Sequence, residues 1–230
     1  MDFYKTNIKN GQIYFDKYIN PKLKTPLKIV EKESSQLMKV IGWFLAFFKI
    51  NTLFMTRYIT TLGSTIYFPK ELIKTLDPKQ FIEIIIHESV HALDDEKYKW
   101  FYKSTYLPEL FFGLPLLIIS ILCLLLKSYI VFIICFILTL IAVLPVPKFG
   151  RYYWEMRAFS VSLFIASLAM AEEEQKTQIK NWIKSHLIGP EYYFAMPFEY
   201  FYSNKMFEYY LKKLVIKGEI QKFFEEDLNS

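Results

Sequence analysis

Cysteine and histidine are scarce in this chain, with two of one and three of the other among 230 residues. Both cysteines, Cys123 and Cys135, fall inside an apolar tract. They read as small apolar side chains, not as a disulfide framework or a metal-binding pair, so an oxidising compartment leaves no trace here. A basic run interleaved with base-stacking aromatics is also missing, which argues against a nucleic-acid partner. The net charge of +5 comes from 28 basic and 23 acidic residues interspersed along the chain. Such mixing fits a solvated surface, with attraction to anionic lipid headgroups as the sharper reading. The first residues, Met1-Asp2-Phe3-Tyr4-Lys5, contain no apolar signal segment and no cleavage site, so a cytosolic setting is expected. Internal repeats and low-complexity linkers are absent as well.

Apolar residues are abundant at 53%, with aromatics at 19%, and they are unevenly spread. Residues 110–126 and 129–147 carry no charge and are broken only by Lys127-Ser128. Each stretch is near the ~17–25 residues that cross a hydrocarbon core as a helix. A two-helix hairpin satisfies its own backbone, so a transmembrane hairpin over 107–147 is expected, with the lipid bilayer as a partner. Sixteen Lys and Arg precede the hairpin, eleven follow it, and its tip holds only Lys127. The positive-inside rule then places both termini, and the domain on either side of the hairpin, on the cytoplasmic side.

The rest of the chain reads as short elements. Residues 1–30 are polar and punctuated by Pro21 and Pro26, an extended lead-in with one short strand near 12–15. Residues 31–50 look helical, and their apolar run at 40–48, too short to span a bilayer, reads as a buried core helix, with an interfacial anchor as the alternative. Residues 52–68 suggest two strands around Leu62-Gly63-Ser64, closed by Pro69. Asp77-Pro78 then opens a helix, with Asp as N-cap and Pro at the first helical position. Phe81, Ile82, Ile84, Ile85 and Ile86 lead that helix into its distinctive segment.

That segment is His87-Glu88-Ser89-Val90-His91. Positions i and i+4 of a helix share a face, so the two imidazoles can grip one zinc ion. Glu88, one residue along, is placed beside the metal and suits a general base. Such a site needs a third protein ligand: a downstream Asp or Glu, or His186. Glu155 leads, because it sits in the apolar helix Tyr152-Tyr153-Trp154-Glu155-Met156-Arg157-Ala158-Phe159, where a carboxylate is otherwise out of place. Small Ala158 would let that helix approach closely. An ion pair of Glu155 with Arg151 or Arg157 is the competing account. Asp94 either accepts a hydrogen bond from a ligand imidazole or is a solvated acid. His186, Tyr192 and Tyr193 either stabilise an oxyanion or belong to a packed aromatic loop.

The H-E-x-x-H segment followed by a Glu-x-x-Ala helix resembles the gluzincin metallopeptidases, in particular their compact minimal forms. The resemblance implies His87, His91 and Glu155 as zinc ligands and Glu88 as base. It further implies that Ser64, Thr65 and Ile66 form an edge strand pairing with a peptide or protein substrate. The hairpin between the two zinc-bearing helices departs from the minimal pattern. The expected fold is α+β: a mainly helical zincin-like domain with a small β-hairpin or sheet, made of residues 1–106 and 148–230 and interrupted by the transmembrane hairpin at 107–147. The expected activity is that of a membrane-anchored zinc metalloendopeptidase. The alternative is a membrane-attached binding or scaffold protein with a structural or inactive zinc site, against which the intact Glu88 argues. Asp94, Asp95, Glu96, Lys97 and Lys99 argue against catalysis within the membrane.

Overall fold

The structure, a computed structural model, describes residues 2–47, 52–106, 112–143, 149–169, 173–188, 204–214 and 216–227. Helices dominate, with one three-stranded sheet among the described residues. Backbone contacts divide the chain into two compact units, residues 1–96 with 214–230, and residues 97–213.

The first unit begins with α1 (Tyr4–Tyr14), where an extended lead-in was expected. The helix is decided by partners far along the chain. Buried Asn7 donates through Nδ2 to the Ile73 and Leu76 carbonyls at 2.8 and 2.9 Å. Gly11 lets the helix come close: a Cβ there would stand 2.9 Å from Cδ1 of Ile29 and 3.2 Å from Cε1 of Phe81. Tyr14, Phe15 and Ile19 are buried, and Phe223 meets Tyr14 edge-on at 5.2 Å. Strand β1 (Lys28–Glu31) pairs in parallel with β3 (Thr65–Phe68), and β2 (Thr60–Leu62) pairs with β3 antiparallel, giving the order β1-β3-β2. Gly63, at φ +56°, makes the turn between β2 and β3, a conformation that glycine adopts without steric cost. The two strands expected around Gly63 are therefore present, but the first is shorter than expected: its opening residues form a turn of helix, α3 (Phe54–Arg57), and the strand begins at Thr60.

Helix α2 (Gln36–Phe47) forms where a helix was expected but is not a core helix. It buries Met38 and Gly42 and exposes Leu37, Val40, Trp43, Phe44 and Phe47. After α4 (Lys70–Thr75) comes α5 (Pro78–Tyr98), which starts as its sequence signals. Oδ1 of Asp77 accepts from the amides of Lys79 and Gln80 at 2.9 and 3.0 Å, satisfying donors that a helix start leaves open. Phe81, Ile82, Ile85, Ile86 and Val90 bury one face of α5.

In the second unit, α6 (Trp100–Tyr106) packs on α9 (Phe149–Ala169), and α10 (Glu173–Ile188) and α11 (Asn204–Lys212) pack on α9 as well. Tyr152, Met156, Phe159 and Leu163 recur at intervals of three and four along α9 and meet Ile183, Leu187, Phe207 and Tyr210. Burial of each such side chain is worth about 1.5–3 kcal/mol.

The expected transmembrane hairpin is overturned. Its place is taken by α7 (Leu114–Leu125) and α8 (Tyr129–Val143), of 12 and 15 residues, which pack on each other. At 1.5 Å per residue they reach only about 18 and 22 Å, against roughly 30 Å of hydrocarbon. Among the described residues no helix is long and apolar enough to cross a membrane. The break at Lys127-Ser128 falls where expected, with Lys127 at φ +59°, but lack of charge does not set helix length; the ends of the expected hairpin, 107–111 and 144–147, lie outside the described residues. The membrane-anchored localisation, with its cytoplasmic termini, therefore loses the spanning segment on which it rested.

Candidate metal centre

His87 and His91 lie one turn apart on α5, their ring centroids 5.0 Å apart and their planes at 80°. His91 is buried and His87 half-buried. Glu155, on α9, is buried to 2% exposure. One ligand atom from each of His87, His91 and Glu155 can be chosen so that all lie within 4.8 Å of one another, and this group could hold a metal ion. The donor chemistry fits a cation. Two imidazoles and a carboxylate suit borderline divalent ions, and a buried carboxylate is costly without a compensating positive charge or donor.

Glu155 is held from within its own unit. The Tyr106 hydroxyl donates to its Oε1 at 2.5 Å. Tyr106 is fixed in turn: its carbonyl accepts from Nε of Arg151 at 3.0 Å, and its ring stacks on Tyr102 at 5.2 Å and 12°. Burial, with the Glu155 charge beside it, pushes the Tyr106 phenol well above the usual range, so it remains a donor. Trp154 adds a bond from Nε1 to Oγ1 of Thr105 at 2.9 Å.

Glu88 is half-buried on α5, and its Oε2 accepts from Oγ1 of Thr61, on β2, at 2.5 Å. Nearby in the same unit is a buried lysine. Lys32 donates from Nζ to the Phe54 carbonyl at 2.8 Å and lies over the Phe54 ring at 3.5 Å. Burial brings its pKa down to about 7, although the charges of Glu33 and Glu88 work the other way.

The remaining expected residues fare differently. Asp94 is buried on α5, three residues beyond His91. The side chain of His186 and the whole of Tyr192 and Tyr193 lie outside the described residues. Ser64, Thr65 and Ile66 do not form an edge. Thr65 and Ile66 belong to the central strand, paired with Lys28 and Ile29 on one side and with Leu62 and Thr61 on the other. A pleated strand with both ladders filled cannot accept a further strand. Sequence reasoning missed Thr61 and Tyr106, which lie 27 and 49 positions from their carboxylates, a distance no helical or strand period announces.

No family model matches the chain, and neither curated proteins nor solved structures give a match.

Proposed function

We propose that the chain is a zinc-dependent peptidase, with His87, His91 and Glu155 as the metal ligands and Glu88 as the general base. The observation that carries this reading is the His87, His91 and Glu155 donor group with a carboxylate, Glu88, on the same helix as the two imidazoles. When bound, zinc would supply Lewis acidity toward a water and a scissile carbonyl. Glu88 takes the proton from the attacking water and passes it to the leaving amine. Thr61 holds one oxygen of Glu88 and so fixes the plane of the base. Asp94, buried one turn past His91, suits a supporting contact to the ligand set.

The substrate-pairing role passes to β2. Among the described residues Thr60–Leu62 pairs with a strand, β3, on one side only, and Thr61 ties the strand to Glu88. An extended peptide adding to that edge would lie beside the base, through backbone hydrogen bonds that are indifferent to most side chains. This favours an unfolded polypeptide as substrate.

The test is zinc content and hydrolysis of a labelled unfolded protein, measured on the full chain and on Glu88→Gln. The expected result is about one zinc per chain in both and hydrolysis in the parent alone. A parent chain that holds no zinc ends this reading. A variant that loses zinc together with activity removes Glu88 from the role of base.

A further inference from the structure

We propose that Tyr106 is the positioning residue of the metal centre, acting through Glu155; the proposal rests on the zinc reading above. A carboxylate ligand on a helix has rotatable bonds that let it swing away from a cation. Something must fix its plane, or the affinity of the site falls. The partners that orient ligands around metals are commonly carboxylates or backbone carbonyls accepting from an imidazole. Here the partner is a phenol and the oriented group is the carboxylate. Oε1 of Glu155 receives the Tyr106 hydroxyl at 2.5 Å, a bond to a charged acceptor and hence stronger than a neutral one.

Tyr106 can do this because it is immobilised in three ways. It ends α6, where Arg151 Nε takes its carbonyl at 3.0 Å. The Arg151 guanidinium also lies 5.6 Å from its ring centroid, and Tyr102 stacks on that ring. Arg151 is four residues before Glu155 on α9, so one turn of one helix grips the backbone of Tyr106 while the next receives its hydroxyl. Between them these contacts leave little rotamer freedom to either side chain.

The experiment measures zinc affinity of the full chain by competition with a chromophoric chelator, for the parent, Tyr106→Phe, Glu155→Ala and the double variant. Tyr106→Phe should bind zinc about 10–100-fold more weakly, the usual cost of losing a ligand's orienting partner. In the Glu155→Ala background the same change should have no further effect. Cobalt(II) in place of zinc should give a shifted visible absorption in Tyr106→Phe, which a merely structural role would not produce. Affinity within twofold of the parent overturns the proposal, and so does an equal loss in both backgrounds. A Tyr106→Phe chain that does not fold without metal also overturns it, in favour of a structural role. A parent chain that binds no zinc overturns this proposal and the peptidase reading together, whereas a parent that binds it beside an unaffected Tyr106→Phe overturns this one alone.

Discussion

Thr61 and Glu88 are joined by a 2.5 Å hydrogen bond from the threonine hydroxyl to Oε2 of the glutamate. The bond ties strand β2 to helix α5, and so ties the outer strand of the sheet, among the described residues, to the residue proposed as base. It also gives the Glu88 carboxylate, the proposed base, a defined plane. A general base must meet its proton within hydrogen-bond reach, and a freely rotating carboxylate does so only part of the time.

Thr61→Val keeps the shape of the side chain and removes the donor. The expected outcome is a turnover about 10–150-fold lower, from a bond to a charged acceptor worth roughly 1.5–3 kcal/mol, at unchanged zinc content. Thr61→Ser keeps the hydroxyl and should restore most of the rate. Steady-state hydrolysis by the three proteins decides the point. Equal turnover in the valine variant would show that Glu88 is oriented without Thr61.

Lys32 predicts a pH dependence of stability. The unfolded chain holds the lysine proton up to about pH 10.5, and the folded chain, through burial, only up to about 7. Between those values the unfolded state binds more protons, so stability rises with pH. The cost of burying the charge is complete below about pH 7 and relieved as pH climbs toward 10.5. Glu33 and Glu88 moderate it, since their charges favour the ammonium. Buried Tyr14 and Tyr106 have phenols raised above their usual value of 10, so near the top of the window they reverse the trend. Lys32→Met should flatten the rising limb between pH 7 and 10 in urea unfolding. Parallel curves for the two proteins would mean that Lys32 is not the source.

What the sequence makes legible is local. Asp77-Pro78 announces the start of α5 because the cap and the helix it caps are adjacent in the chain. His87 and His91 can be read as a pair for the same reason, since four residues on a helix fix their common face. Gly63 marks its turn. The long-range part is not legible. Residues 4–14 carry no helix signal strong enough to outweigh Pro21 and Pro26, and the helix there answers to carbonyls at Ile73 and Leu76. Strand β1 is invisible because its partner lies 37 positions on, at Lys28 with Thr65, in a parallel ladder without a tight turn. The edge role of Ser64, Thr65 and Ile66 follows from the family resemblance alone, which carries no sign of a strand as far back as Lys28. In residues 110–147 the break at Lys127-Ser128 is legible and the two helices form around it, but absence of charge does not set their length, and α7 and α8 span 12 and 15 residues.

Gly218 offers a stabilising change. It lies within α12 (Lys217–Lys222), and a Cβ built there meets nothing within 4 Å. Alanine loses less conformational entropy than glycine on entering a helix, so Gly218→Ala should raise stability by about 0.5–1 kcal/mol. A shift of the urea midpoint at constant slope would measure it, and a lower midpoint would contradict the open surroundings.

Gly150 predicts the opposite, with a consequence for the metal centre. It stands in the first turn of α9, where a Cβ would lie 2.5 Å from the Thr105 carbonyl oxygen and 2.7 Å from the Thr105 Cβ. The nearest atom is backbone, so no side chain can swing aside, and α9 must move away from α6. Such overpacking costs about 1–3 kcal/mol. The same movement stretches the bonds between these helices: Trp154 to Thr105, Arg151 to Tyr106, and Tyr106 to Glu155. Gly150→Ala should therefore lower the melting temperature of the metal-free chain and also loosen zinc, whereas Gly218→Ala should change stability without touching zinc. Chelator competition beside thermal melts, on both variants, separates the two effects. A Gly150→Ala chain that is destabilised yet holds zinc as tightly as the parent would mean that the α6–α9 contact supports the fold and plays no part in orienting Glu155.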